Sequence, residues 1–203
     1  MVTVLDSQIV DLVNAYYQYA QEHVCTSVEN FCQYYIAKEK MKKIDKPKET
    51  TLAILADTIE SRLGMLFGRL SRFINLELKQ LVEKVQIDTT EEMWYLIMIW
   101  ELKQPTKSDV IHDIIAEYSS GIAVINRLLA KGYVQEFPDE QDKRAKRLKI
   151  TPQGEKKVWA CFQHLSVMAQ EVFANLSQDE KEILHQILYK LEQHHTQRYE
   201  KSR

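Results

Sequence analysis

The sequence predicts a mainly α-helical fold that carries one small β-hairpin, the arrangement of a winged helix. Apolar residues recur at helical spacing through most of the 203 residues, and the chain has only five Gly and four Pro. One short stretch, residues 133–150, instead alternates loosely with period two around a charged loop. Because amphipathic helical segments lie on both sides of that stretch, we expect the order helix, helix, hairpin, helix.

The first helical segment before the hairpin is residues 106–118. Thr106 or Ser108 is its candidate N-cap, because a hydroxyl there accepts a hydrogen bond from an unpaired backbone N–H. Four apolar side chains should face inward: Val110, Ile111, Ile114 and Ile115. We expect a short connection at Ser119-Ser120 to lead into the next helix.

The second helix, residues 119–131, divides into two faces at about 100° per residue. One arc is apolar or small: Gly121, Ile122, Val124, Ile125, Leu128 and Leu129. The other arc contains Ser119, Ser120, Ala123, Asn126, Arg127, Ala130 and Lys131. Small residues permit a close approach to a major groove, where Asn and Arg pair with base edges or phosphates. The alternative is a merely solvated face, which would ordinarily contain more Glu and Lys than this one.

The hairpin is predicted to have a basic tip. Strands at residues 133–137 and 146–150 should flank the loop 138–145, and Gly132 is a plausible end for the preceding helix. The next helix should open at Thr151-Pro152. Between Gln141 and Lys157 lie seven basic and two acidic side chains, a local net charge of +5 in a chain whose net charge is −2. Such concentration favours a polyanion as the ligand, although a solvated charged hairpin is the simpler alternative.

The residues of this region resemble the signature of the multiple antibiotic resistance regulator (MarR) family of bacterial transcription factors. The motif is Asp142-Lys143-Arg144, then Leu148-Lys149-Ile150-Thr151 and Gly154, with Arg127-Leu128 and Lys131-Gly132 upstream. In layout the resemblance covers roughly residues 52–195. It implies a sequence-specific regulator that binds double-stranded DNA, more often a repressor than an activator. It also implies that Arg144 enters a minor groove while Asp142 orients it.

One departure from the family concerns the second helix. The positions where the family often has a hydroxyl and an arginine are Ile122 and Ala123 here. The predicted DNA-binding residues are therefore Ser108, Ser119, Ser120, Asn126, Arg127, Lys143, Arg144, Lys146 and Arg147. Asp142 is the predicted wing-orienting residue.

Rows of apolar residues on helices outside the predicted winged helix predict a helical dimerisation region. They are Ile59, Leu63, Leu66, Leu70 and Phe73; Val158, Phe162, Leu165, Ala169, Val172 and Leu176; and Ile183, Leu184, Ile187, Leu188 and Leu191. A capping box, Ser177-x-x-Glu180, should open the helix that carries the last of them. Intramolecular packing accounts for part of each stripe. Because one small winged helix cannot cover all three, we expect a homodimer on a pseudo-palindromic site. The predicted division is residues 1–50 as a helical extension and linker, 51–88 with 152–203 as the dimerisation region, and 89–151 as the DNA-binding lobe.

Within the extension, a capping box Thr26-x-x-Glu29 should start a second helix. Cys25 and Cys32 could sense oxidants as some members of the family do, but Cys32 is expected to pack as a small hydrophobe.

Further candidates lie on a helix that Thr89-x-x-Glu92 should open and near the C-terminal end of the chain. Trp94, Tyr95 and Trp100 are candidates for a small-molecule effector site, with core packing as the alternative. His185, His194 and His195 lack the spacing of a metal site, so neither a metal nor another cofactor is expected.

Other classes of protein find little support in the sequence. It has no Gly-rich phosphate loop, Gly-x-Ser-x-Gly turn or His-Glu-x-x-His helix, so we do not expect an enzyme. No apolar run of membrane-spanning length and no signal peptide are evident, and three cysteines suit a reducing compartment, so we expect a cytoplasmic protein. The alternative to a DNA-binding regulator is a protein-interaction module that uses a winged helix without binding DNA.

Overall fold

The computed structural model describes residues 4–22, 27–41, 58–140, 142 and 145–201. The chain divides into two compact units, Met1–Arg62 and Leu63–Arg203. Within the described residues, no helix is both long enough and apolar enough to cross a membrane.

The first unit contains helices α1 (Val4–Glu22) and α2 (Val28–Met41), which pack through aromatic side chains. Phe31 of α2 is buried, and its ring centroid lies 4.9 Å from that of Tyr16 and 5.7 Å from that of Tyr19. Ser27 caps α2, since its Oγ accepts a hydrogen bond from the N–H of Asn30 at 3.0 Å. Thr26 and Cys25 lie outside the described residues, so the predicted cap and half of the cysteine pair are not placed.

Cys32 does not pack as predicted. Its side chain is exposed, because the neighbouring Phe31 occupies the contact with α1 and a helical residue one position along is turned by about 100°. Cys32 instead lines an open apolar groove of about 490 Å³ between α1 and α2.

The second unit is helical except for one hairpin. Its elements are α3 (Ile59–Lys84, which begins just before the unit boundary), α4 (Thr90–Leu102), α5 (Lys107–Asp113), α6 (Tyr118–Ala130), β1 (Val134–Pro138), β2 (Lys146–Ile150), α7 (Pro152–Val172) and α8 (Gln178–Lys201). The predicted fold class is confirmed: a mainly α chain with an antiparallel two-stranded wing.

Helix α4 lies at the centre of the core. Met93, Leu96 and Ile99 are completely buried, at 0% exposure. The other elements contribute the side chains that cover it: Val110, Ile111, Ile125, Leu128, Leu148, Val158 and Cys161. Each of these belongs to α5, α6, β2 or α7, so one apolar helix organises the whole lobe.

Helix α5 is shorter than predicted, and Ile115 does not face inward. The helix ends at Asp113, Ile115 has a left-handed backbone with φ of 58°, and its side chain is 62% exposed. The N–H of Ala116 donates to the carbonyl of Ile111 at 3.1 Å, and that of Ile115 to His112 at 2.9 Å. These bonds form the left-handed helix end usually made with glycine. The turn is therefore residues 114–117, and Ser119 and Ser120 lie in the first turn of α6.

Several predicted element ends are confirmed. Gly132, with φ of +69°, follows the end of α6, and Thr151 caps α7 by accepting the N–H of Gly154 at 3.1 Å. At the start of α8, the N–H of Ser177 donates to Glu180 Oε2 at 2.8 Å, and Ser177 Oγ accepts the N–H of Glu180 at 3.4 Å. The wing strands pair in register from Val134 with Ile150 to Pro138 with Lys146.

Two of the apolar stripes remain largely uncovered. On α3, Leu63, Leu66, Leu70 and Phe73 are 47–57% exposed. On α8, Ile183, Ile187 and Leu191 are 42–53% exposed. The stripe on α7 is mixed, since Val158 is buried whereas Ala169 and Val172 are exposed. The core of the second unit thus does not account for these faces.

Gly121 sets how closely α6 approaches the core, which gives a first prediction. A Cβ there would lie 2.5 Å from Cγ1 of Ile111 and 2.7 Å from the hydroxyl of Tyr95. Gly121→Val should therefore lower the free energy of unfolding by about 1–3 kcal/mol, the usual range for overpacking. Urea denaturation followed by tryptophan fluorescence measures this, because all three tryptophans lie in the second unit.

Gly68→Ala is the matched control. Gly68 lies within α3, and apart from the backbone of its own helix nothing lies within 4 Å of the position that a Cβ would take. This change should stabilise the protein by about 0.5–1 kcal/mol. A Gly121→Val variant as stable as the wild type would contradict the close contact.

Candidate nucleic-acid interface

The two helices of the predicted helix-turn-helix pack against each other, and α6 presents an exposed face from its first turn to Asn126. Ser119, Ser120, Ala123 and Asn126 are all exposed there, as predicted for a helix that enters a groove. The hydroxyl of Ser119 donates to Glu117 Oε2 at 3.1 Å. An acid at the N-cap of α6 therefore borders a face that contains no acid within the helix itself.

Asn126 belongs to a polar network that joins α5, α6 and the wing. Lys107 Nζ donates to Asn126 Oδ1 at 3.2 Å and lies 2.6 Å from Glu136 Oε1. Lys146 Nζ lies 3.1 Å from the other oxygen of Glu136. Hydrogen bonding to Lys107 lowers the pKa of Glu136, against the opposing effect of burial and with a further contribution from Lys146. Four elements thus hold two lysines and the amide in one place.

Arg127 makes a contact that the sequence did not predict. Its Nε donates to Glu92 Oε1 at 2.8 Å, and Lys131 Nζ reaches Glu92 Oε2 at 2.5 Å and Asp88 Oδ2 at 2.7 Å. The side chain of Glu92 is completely buried, at 0% exposure. Burial alone would lower the pKa of Lys131, but the bonds to Asp88 and Glu92 raise it overall. Arg127, with 46% of its side chain exposed, is therefore anchored toward α4.

Sequence spacing predicted a different role for Glu92, as the second half of a capping box. Thr89 does cap α4, since its Oγ1 accepts the N–H of Glu92 at 3.1 Å. The carboxylate of Glu92, however, faces α6. Glu92 directly precedes the apolar and aromatic run 93–100, and an acid at the edge of such a run is the one sequence signal that could have indicated a buried ion pair.

The side chain of Asp139 holds the wing loop where it leaves β1; its role was not predicted from the sequence. Asp139 is buried, at 6% exposure, and its Oδ2 accepts a bond from Nε of Arg147. Its other oxygen accepts the N–H of Asp142 at 3.1 Å. Arg147 Nη1 also donates to the carbonyl of Gln104 at 2.8 Å. Arg147, a predicted DNA contact, thus connects the wing to the segment after α4.

The remaining predicted DNA contacts are distributed as follows. Ser108 lies exposed in the first turn of α5, and Lys146 has 69% of its side chain exposed at the start of β2. Asp142 is exposed in the wing loop. Lys143 and Arg144 lie outside the described residues, so the predicted pairing of Asp142 with Arg144 is not placed.

The three candidate effector-site aromatics do not converge on one cavity wall. Tyr95 lies in the core at 3% exposure, where burial raises the pKa of its hydroxyl, whereas the adjacent Trp94 is 42% exposed. Trp100 contacts α7, its ring centroid 5.7 Å from that of Trp159 and 5.4 Å from that of Phe162. Tyr95 is therefore a packing residue, and Trp100 belongs to an aromatic cluster with Trp159 and Phe162.

Other chemistry is sparse in the described part of the chain. No group of three or more His, Cys, Asp or Glu side chains there is arranged to hold a metal ion. Cys161 is buried in the core, and burial raises the pKa of its thiol to about 11. Because the thiolate is the reactive form, Cys161 is a packing residue rather than a nucleophile.

Helices α5 and α6 followed by the β1–β2 hairpin form the arrangement of a winged helix. Residues 96–154 match the family model of a winged helix DNA-binding domain. The matched region extends from within α4 to the first turn of α7, so it contains both helices of the helix-turn-helix and the wing.

The chain is also similar to a curated transcriptional regulator and to a solved structure of MarR. The chain is 28% identical over 131 residues to YybA of Bacillus subtilis, an uncharacterised helix-turn-helix type transcriptional regulator; the match covers 64% of this chain and 83% of that protein. It is similar to the apo structure of E. coli MarR at 25% identity, with a TM-score of 0.56, over 64% of this chain and 95% of that one. These matches confirm the resemblance to the MarR family that the wing motif indicated.

Two further structures share the fold. One is a cysteine-to-serine mutant of E. coli MarR complexed with operator DNA, at 22% identity and a TM-score of 0.61, over 70% of this chain and 99% of that chain. The other is BpsR of Bordetella bronchiseptica, at 20% identity and a TM-score of 0.59, over 64% of this chain and 98% of that chain. Its structure concerns regulation of DNA binding by 6-hydroxynicotinic acid.

Asp139 provides the second prediction. Asp139→Ala removes the acceptor for both Arg147 and the N–H of Asp142, so it should lower the free energy of unfolding by about 1–3 kcal/mol. Urea denaturation measures the loss, and hydrogen exchange should show faster exchange of the amides at the wing base. Glu140→Ala is the control, because Glu140 is the exposed neighbour and should change stability by less than about 0.5 kcal/mol. Equal stability of the two variants would show that the wing is held by its strands alone.

Proposed function

We propose that this chain is a homodimeric, sequence-specific regulator of transcription that binds a pseudo-palindromic duplex and acts as a repressor. The exposed N-terminal face of α6 beside the ordered lysines of α5 and the wing carries the proposal. Ser119, Ser120 and Asn126 are the candidate base readers, and Lys107 and Lys146 are candidate phosphate contacts. Phosphate contacts orient a protein on the duplex, whereas contacts to base edges select the sequence.

The wing supplies the second contact in this proposal. In sequence, Lys143 and Arg144 follow Asp142 in the loop between β1 and β2, whose base is fastened by Asp139 and Arg147. A hairpin held in this way can reach the backbone or the minor groove beside the site of α6, where a guanidinium is favoured by the negative potential. Arg147 contributes chiefly to that fastening, and Arg127 to the position of α6.

Dimerisation is supported by the uncovered apolar stripes of α3 and α8. Half-exposed leucine, isoleucine and phenylalanine side chains in continuous rows are unusual on the surface of a monomer. A two-fold dimer would cover them and would space two copies of α6 for successive major grooves.

Release by a small molecule belongs to the same proposal. The structure of BpsR, a protein of the same fold, concerns control of DNA binding by 6-hydroxynicotinic acid. In this chain the aromatic cluster of Trp100, Trp159 and Phe162 is the candidate contact surface, since Trp159 is 53% exposed. Trp94 is a further candidate contact for the small molecule, whereas Tyr95 is buried in the core.

The competing proposal is a winged helix that binds a protein. In that case the basic wing loop would have no specific DNA partner. Any binding of the protein to duplex DNA would then show no sequence preference. Selection of bound duplexes from a random library separates the two functions. We expect an enriched sequence with two-fold symmetry, whereas a recovered pool without any preferred sequence would favour the protein-interaction module.

A third prediction concerns the wing arginine. Arg144→Ala should weaken binding to the selected duplex and reduce the slope of log K against log salt by about one unit, because one fewer counterion is released. Asp142→Ala should weaken binding less and leave the slope unchanged. Lys190→Ala, which removes the same charge from an exposed position of α8 outside the wing, is the control and should change neither quantity. Unchanged binding by Arg144→Ala would show that the wing does not contact DNA.

A fourth prediction concerns the dimer. Ile187→Glu places a charge in the α8 stripe, where the side chain is 53% exposed and so contributes little to folding of the single chain. The variant should elute as a folded monomer in size-exclusion chromatography with light scattering, because burying an unpaired carboxylate is unfavourable. Gln186→Glu adds the same charge one position away and should leave the dimer intact. A dimeric Ile187→Glu variant would assign the interface to another surface.

A further inference from the structure

The carboxylate of Glu92 is the most thoroughly buried charge in the described part of the second unit. It is completely buried, yet it receives Arg127 at 2.8 Å and Lys131 at 2.5 Å. Glu92 lies on α4, whereas Arg127 lies in the last turn of α6 and Lys131 is its C-cap. The ion pairs therefore join the central helix of the core to the helix that bears the candidate base readers.

Stability alone does not explain this arrangement. Removing a carboxylate from water is costly, and buried ion pairs are often matched or exceeded in stability by apolar residues of similar volume. An ion pair, unlike an apolar contact, has a preferred direction, because each cation must meet a particular oxygen. Two cations one helical turn apart on the two oxygens of a single carboxylate define a direction for α6.

The N-terminal half of α6 is held by a contact of another kind. At Gly121 the helix backbone approaches Ile111 and Tyr95 so closely that no Cβ fits without a shift. That contact fixes the distance of α6 from the core, and the fully buried Ile125 and Leu128 determine which face of the helix turns inward. The Glu92 contacts add a directional constraint at the C-terminal end of the helix.

We propose that Glu92 is a positioning residue for DNA recognition: it refines the rotation of α6 that the buried apolar side chains set, and it keeps Arg127 and Lys131 from contacting phosphates indiscriminately. This inference rests on the proposed DNA-binding function. A purely structural role of Glu92 would change the affinities for the selected site and for unrelated DNA in the same direction, whereas a positioning role changes them in opposite directions. Without the carboxylate, two cations become available to any duplex while the base readers lose their orientation. Affinity for unrelated DNA should rise while affinity for the selected site falls.

Glu92→Gln is the direct test, because it keeps the size of the side chain and removes the charge. Two probes are used: the duplex selected with wild-type protein and a scrambled duplex of the same composition. The ratio of the two affinities should fall roughly tenfold, about the value of one specific base contact. The salt slope on the scrambled duplex should increase by about one to two units, as one or two more phosphates are contacted.

Glu91→Gln is the matched control. Glu91 is the exposed neighbour on the same helix turn, so its substitution removes the same charge without touching α6. Its affinity ratio should stay within about twofold of wild type, and its salt slope should not change by the one unit expected per phosphate. An unchanged ratio in Glu92→Gln, or a fall in affinity for both duplexes by the same factor, would overturn the positioning role.

A measurement without DNA distinguishes this inference from the proposed function. Hydrogen exchange of the α6 amides, residues 122–131, should quicken in Glu92→Gln relative to those of α7, and should not change in Glu91→Gln. Arg127→Met, whose side chain is 46% exposed and so carries less risk of unfolding, should quicken the same amides. If the wild type selects no sequence, the proposed function fails; if α6 exchange is unchanged in both variants, the inference about Glu92 fails whatever the protein binds.

Discussion

A helix that is apolar on nearly every side must be covered on nearly every side, and α4 imposes that requirement on the second unit. Its fully buried Met93, Leu96 and Ile99 leave little of its surface for solvent. The neighbouring α5, α6, β2 and α7 are too short or too narrowly amphipathic to form separate cores, and each contributes one or a few side chains to this one. Helix α6 and the wing are therefore not independent appendages, because both are part of the cover of α4.

Acidic residues organise the surface expected to face a polyanion. Glu92, Glu136 and Asp139 each hold one or two basic side chains, at the three junctions between α4, α5, α6 and the wing. Such acids reduce the local positive charge, which by itself would weaken attraction to DNA. In return they restrict the rotamers of long, flexible side chains before any ligand arrives. The basic side chains thus attract DNA less strongly but are already held in place before binding. This favours binding to one sequence over binding to any duplex.

Much of the winged helix was predictable from the sequence because its signals are local. Strand alternation, the Gly132 helix end and the Thr151 cap depend on a few neighbouring residues, and all three predictions were confirmed. The partners of Glu92 were not predictable, since they lie 35 and 39 positions along the chain and spacing carries no information about such pairs. The same limit applies to Asp139, whose burial depends on a bond to Arg147 across the hairpin. The exposure of Cys32 was not predicted either, because the spacing of apolar residues does not show whether Phe31 or Cys32 contacts α1.

The end of α5 was misjudged for a different reason: apolar residues continue past it. Ile115 ends the helix in the conformation that glycine adopts with least cost, and a β-branched side chain there is strained by roughly 1 kcal/mol or more. Contacts with the surrounding residues thus stabilise the conformation of this turn, because the intrinsic backbone preference of Ile115 does not favour it. Among the described residues Ile115 is one of three non-glycine positions with positive φ, together with Gln86 and Lys103. A residue at that point that accepts the left-handed backbone would make the lobe harder to unfold without altering any side chain expected to touch DNA.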